Sequence, residues 1–145
     1  MTPNSCLSAL VTQLQGVSGM KESRSPQGVR NSSGGRINRA WSVKVTGMVP
    51  SSNPGRGRVD TSGIRVAQRY IVEIAHQLKP STGQLSPGQS QTDLLSIIQA
   101  IVATGTSLTQ EGVPDIKTVS AEYLSGGAYL VQSIVVEVTY PLALA

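Results

Sequence analysis

From Ile64 to Leu78 the chain reads as one long strand with a period of two. Ile64, Val66, Tyr70, Val72, Ile74 and Leu78 share one parity, and Arg65, Ala67, Arg69, Ile71, Glu73, Ala75 and Gln77 the other. A period of two puts the first set on one face of a β-strand and the second on the other. About fifteen residues at roughly 3.3 Å rise each would make a strand near 50 Å long, more than a compact domain of this length is expected to cover. The reading that follows is a strand whose apolar second half lies in a sheet. Its basic first half, carrying Arg65 and Arg69, projects with the preceding loop as a hairpin arm.

Other elements arrange around this strand. Leu7, Leu10, Val11, Leu14 and Val17 recur at helical spacing after Pro3, with Thr2 placed to cap and Gly16 or Gly19 to terminate. Trp41, Val43 and Val45 alternate with Ser42, Lys44 and Thr46 as a half-buried strand that runs out at Pro50. Ser90 and Asp93 suggest the capped start of a second helix, whose broad apolar face (Leu94, Leu95, Ile97, Ile98, Ile101, Val102) ends at Gly105. Strand-like runs at 116–124 and 129–140 flank Gly126-Gly127, a hairpin signal because both glycines reach positive φ readily. The order helix, strand, strand, helix, strand, strand predicts one α+β domain over residues 1–145, a four-stranded, mainly antiparallel sheet packed with two helices. Residues 18–38 and 50–62, rich in Gly, Ser, Pro and cations, are expected as extended basic loops.

Charge is divided unevenly. Between residues 20 and 69 lie ten Lys and Arg against two acids, a net +8; elsewhere two Lys stand against six acids, a net −4. Such a split speaks to partners and not to fold. Either a basic surface meets a polyanion, or opposite faces of identical subunits meet each other. The candidate contact residues are Arg24, Arg30, Arg36, Arg39, Lys44, Arg56, Arg58, Arg65 and Arg69.

Signals for chemistry are sparse. One cysteine, Cys6, gives no internal disulfide framework, and no Cys/His spacing suggests a metal. His76 is the sole histidine and sits on the apolar parity of its strand, with no nucleophile or carboxylate signature beside it. Ser18-Gly19-Met20-Lys21 matches S-x-x-K by chance, without the companion motifs. No phosphate-binding loop occurs, and the acids are scattered singly. An enzyme is not expected, nor a cofactor. No apolar run reaches the roughly 20 residues that span a bilayer, and the N-terminus lacks the form of a secretory signal, so a cytosolic setting is expected.

The element order, the cadence Arg69-Tyr70-Ile71-Val72-Glu73-Ile74, the apolar helix from Asp93 to Val102 and the ending Ile134-Val135-Val136-Glu137-Val138-Thr139-Tyr140 resemble the tail terminator proteins of long-tailed, lambda-like phages. The resemblance implies a virion protein assembled in the host cytoplasm. It would form a ring, usually of six subunits, that closes the tail tube and presents a surface to the head–tail connector. Its partners would be itself, the tail tube protein and the connector, with nonspecific DNA contact in the channel and no membrane. No catalytic residues accompany the resemblance. The long basic segments at 20–39 and 50–62 depart from simpler members and suit another ring protein of the neck equally well. Two readings of other classes stand beside it: a small nucleic-acid-binding module using the basic segment, although only Trp41 and Tyr70 lie near the cations to stack on bases, and a hydrolase built on His76.

Overall fold

The computed structural model describes residues 3–23, 39–52, 64–77, 87–107, 113–124 and 129–141. In chain order the elements are α1 (Pro3–Gln15), β1 (Lys21–Glu22), β2 (Ala40–Ser52), β3 (Ile64–Gln77), α2 (Pro87–Ser107), β4 (Val113–Leu124) and β5 (Tyr129–Pro141). The α+β class and the two helices are as expected. The sheet has five strands rather than four, in the order β1-β2-β3-β5-β4. It is mixed, because β1 pairs with β2 in parallel while all other pairs are antiparallel. β1 lies inside the segment read as a loop; two residues are too few to produce a periodic signal.

The expected arm at the start of β3 is not formed as such. Ile64 through Arg69 pair on one side with β2, from Ser52↔Ile64 to Gly47↔Arg69, and on the other with β5, from Arg65↔Pro141 to Arg69↔Glu137. A strand of this length is covered because β2 and β5, 13 residues each, flank β3 along its length, and β4, 12 residues, extends the sheet beyond β5. β2 likewise passes through Pro50 instead of stopping there. Proline lacks only an N–H, which an edge position does not require, and past Trp41 β2 has no outer neighbour among the described strands. β4 accommodates Pro114 in the same way at the opposite edge.

Both helices cover one face of the sheet. Directly paired residues share a face, so Trp41 and Val43 on β2, Val66, Tyr70, Val72 and Ile74 on β3, and Ile134, Val136, Val138 and Tyr140 on β5 point to the same side. They form one core with Cys6, Leu10 and Leu14 of α1 and Ile97 and Ile101 of α2. The spacing of these helical positions, four residues apart, is what aligns them on one stripe. With no phenylalanine, the largest fully buried side chains are Trp41, Tyr70 and Tyr140. Burial holds the hydroxyls of Tyr70 and Tyr140 and the Cys6 thiol above their ordinary pKa values. Ala40, Ala75 and Val131 make a smaller cluster on the other face.

Two details shape the helix ends. α1 ends as expected, with Gly16 N–H donating to Gln13 and Val17 N–H to Leu14. α2 starts at Pro87, where a missing N–H is harmless, a turn before the expected cap. Ser90 and Asp93 are consequently inside the helix and buried. The Gly126-Gly127 connection lies outside the described residues, although the pairing Leu124↔Tyr129 brings the flanking strands together as expected.

Candidate functional site

Asp93 is the centre of a buried polar cluster joining three elements. Its Oδ2 accepts from Arg39 Nε at 2.9 Å and Oδ1 from Arg39 Nη2 at 3.0 Å, the two-pronged geometry that suits guanidinium and carboxylate. His76 Nε2 lies 2.8 Å from Oδ2, and Gln89 Nε2 donates to Oδ1 at 3.0 Å. With the carboxylate ionised, His76 donates from Nε2, leaving Nδ1, buried and without a hydrogen-bond partner among the described residues. Burial disfavours the Asp93 anion, but the hydrogen bonds from Arg39, His76 and Gln89 outweigh it and hold Asp93 below the ordinary aspartate value; the same bond raises Arg39.

Local backbone explains how Arg39 reaches this place. Arg39 takes a positive φ of 54°, uncommon for a residue with a side chain. Its carbonyl accepts from Lys21 N–H at 2.9 Å, and Ser23 N–H donates to Trp41 at 2.7 Å, so β1 is laced to the start of β2. The guanidinium passes directly over Gly19, whose φ is 80° and where an added Cβ would stand 2.7 Å from Arg39 Nη2. The cluster thus fastens Gly19 to Ser23 and Arg39 to Trp41, the two roots of the basic segment between them, onto α2 and the end of β3. His76 does have a carboxylate beside it, contrary to the sequence reading. Both groups are closed off from solvent, and the arrangement acts as a charge-assisted anchor.

The face of the sheet opposite the helices carries further cations. Lys44 Nζ is 2.8 Å from the buried Glu73 carboxylate. Arg69 Nε is 2.8 Å from Glu137, its direct cross-strand partner. Glu137 in turn lies opposite Asp115, a like-charge pair that would be unfavourable alone. Lys117, at the bulge between Ile116 and Thr118, offsets it from 2.9 Å of Asp115 and 3.8 Å of Glu137, and these acids raise its pKa. Of the nine candidate cations, Arg39, Lys44 and Arg69 therefore each have an acid within the chain, on separate parts of the sheet. Arg65 lies in β3 beside Pro141. Arg24, Arg30, Arg36, Arg56 and Arg58 lie outside the described residues.

Sequence reasoning missed the acids that receive these cations: Glu73, Asp93 and Glu137. For Asp93 a signal existed. It falls on the stripe that includes Ile97 and Ile101, and a carboxylate on a buried stripe requires a partner on another. Among the described residues no group of three or more His, Cys, Asp or Glu is placed to hold a metal ion, and no helix is long and apolar enough to cross a membrane. Compared with known proteins, the chain matches no family model and no curated sequence.

Proposed function

We propose that this chain is a structural subunit of a long-tailed phage particle, a tail terminator whose copies close into a ring, six in the simplest form. The ring caps the tail tube and offers its other surface to the head–tail connector. Its work is done by interfaces, so no catalytic residue or cofactor enters. The observation that carries the reading is a pair of unlike apolar patches left exposed on one subunit. Val45 and Met48 project from the edge strand β2, and Leu95 and Val102 from the outer side of α2, next to a groove of about 400 Å³ lined by Leu94, Leu95 and Ile98 with Gln91 and Thr92. The bulged edge of β2 and the helical ridge of α2 are unlike in shape, so each can serve as the other's counterpart on a neighbouring copy. Joined to each other they make a head-to-tail contact, the kind that generates rings.

Arg39, Lys44 and Arg69 already neutralise acids of their own chain, so their charge acts within the subunit rather than on a neighbour or on phosphates in the channel. Native mass spectrometry and negative-stain images of the full chain test the proposal. Ring-sized oligomers are expected, reduced to smaller species by Leu95→Lys or Val45→Lys. A chain that stays monomeric at every salt concentration, and is absent from purified tailed particles, would rule the proposal out.

A further inference from the structure

β4 stands at one edge of the sheet and pairs only with β5 among the described strands, and residues 118–123 along it are all exposed. The two edges are not equally protected. Along β2 lie β1 against Ala40 and Trp41, then Lys44, the bulge between Val45 and Gly47, and Pro50, features that discourage further pairing. On β4 the protective features, Pro114, Lys117 and the bulge after Ile116, fall in the first part. From Thr118 to Leu124 there is no proline, glycine, lysine or arginine. Here Val119 and Tyr123 face the helix side of the sheet, through their partners Ile134 and Leu130, yet are 46% and 66% exposed.

We propose that Thr118–Leu124 pairs antiparallel with the same segment of a second copy, about a two-fold axis through Ala121, joining two five-stranded sheets into one of ten strands. The register is selected by side-chain chemistry. A two-fold axis normal to the sheet keeps each face on its own side, so it passes through a residue and sets equal-parity residues opposite each other. Centred on Glu122, it opposes two carboxylates. Centred on Ser120, it sets Val119 against Ala121 and brings Lys117 of the bulge against Tyr123. Centred on Ala121, it sets Val119 against Tyr123 of the second copy twice over, the aromatic against β-branched pairing that sheets favour, and Glu122 against Ser120. The two large apolar side chains left uncovered on β4 thereby cover each other.

This seam does not rest on the ring. It uses neither the β2 patch nor the α2 patch, and where both contacts form, two rings meet back to back with dihedral symmetry. Cysteine pairing in the full chain tests it. Residues directly opposite have Cβ atoms within about 5.5 Å, and Cys6 is buried and unavailable. Under mild copper–phenanthroline oxidation, Ala121→Cys is expected to form covalent dimers at least about tenfold faster than Ser120→Cys, whose counterpart across the seam is Glu122. A mixture of Ser120→Cys and Glu122→Cys chains should give the heterodimer. Tyr123→Lys, with unchanged circular dichroism, should weaken the dimer about tenfold or more. Equal rates for the two single cysteines, or a faster Ser120→Cys, overturn the register and the proposal. Ring-sized oligomers with no Ala121→Cys cross-link would overturn the seam and leave the ring; Ala121→Cys dimers without rings would uphold the seam and overturn the ring.

Discussion

Replacing Asp93 by alanine removes the acceptor of four hydrogen bonds in one step, two from Arg39 and one each from His76 and Gln89. The consequence differs among the donors. Arg39 is 32% exposed and regains water readily, whereas His76 is fully buried and keeps an orphaned N–H; Asp93 itself is only 5% exposed. Breaking a buried ion pair from one side costs about 3–5 kcal/mol. Because the guanidinium is partly solvated, the lower end applies, about 3 kcal/mol, of which the stranded imidazole accounts for about 1–3 kcal/mol. Against a domain stability of about 5–15 kcal/mol this is a large fraction. With a urea slope of about 2 kcal/mol per molar, the unfolding midpoint falls by about 1.5 M. The single Trp41, buried in the core, provides the fluorescence probe. The double-mutant cycle sharpens the test. In a His76→Leu background no imidazole is stranded, so Asp93→Ala should cost about 1–2 kcal/mol less than in the parent. A loss below about 1 kcal/mol for the single variant, with strict additivity in the double, would refute the anchoring role.

Acid should act on the same group. Asp93 has its folded pKa below the ordinary 3.8, so its stabilisation is present above that value and is lost as pH falls through the lower folded one. Urea midpoints followed from about pH 5 to about pH 2.5 should therefore fall more steeply for the parent chain than for Asp93→Asn. Gly19→Ala should lower stability by about 2 kcal/mol, from its φ of 80° and the approach of Arg39 Nη2. At about 3 °C per kcal/mol, that lowers the melting temperature by about 6 °C. Gly47→Ala, where an added Cβ meets nothing within 4 Å, should leave the melt essentially unchanged.

The parts of this fold written in local pattern were legible. The parity of Ile64 to Ile74 and the spacing of Leu7, Leu10 and Leu14 each report which side of an element meets the core, and the observed core uses those sides. Pro50 misled, because a proline stops a central strand but not an edge strand, and strand order is not a local property. Ser90 and Asp93 resembled a helix cap for a similar reason. The residues that give Asp93 its role, His76 and Arg39, are 17 and 54 positions away. The cations were visible as a cluster in sequence, yet Arg69 meets Glu137 from 68 positions away. A charge map along the chain cannot distinguish a free cation from one already satisfied across the sheet.

The position of β5 bears on how the chain is made. It is the last of the five strands in sequence but lies between β3 and β4, which run parallel to each other and touch it on either side. When a ribosome has finished β4, both strands that will flank the vacant slot present open edges, and the core still lacks Ile134, Val136, Val138 and Tyr140. Assembly of the sheet waits for the final thirteen-residue strand to thread between them. Contacts so distant in sequence form slowly. Until synthesis reaches residue 141, the nascent chain depends on those edges staying apart from other chains, and any truncation within β5 removes the centre of the sheet rather than its margin.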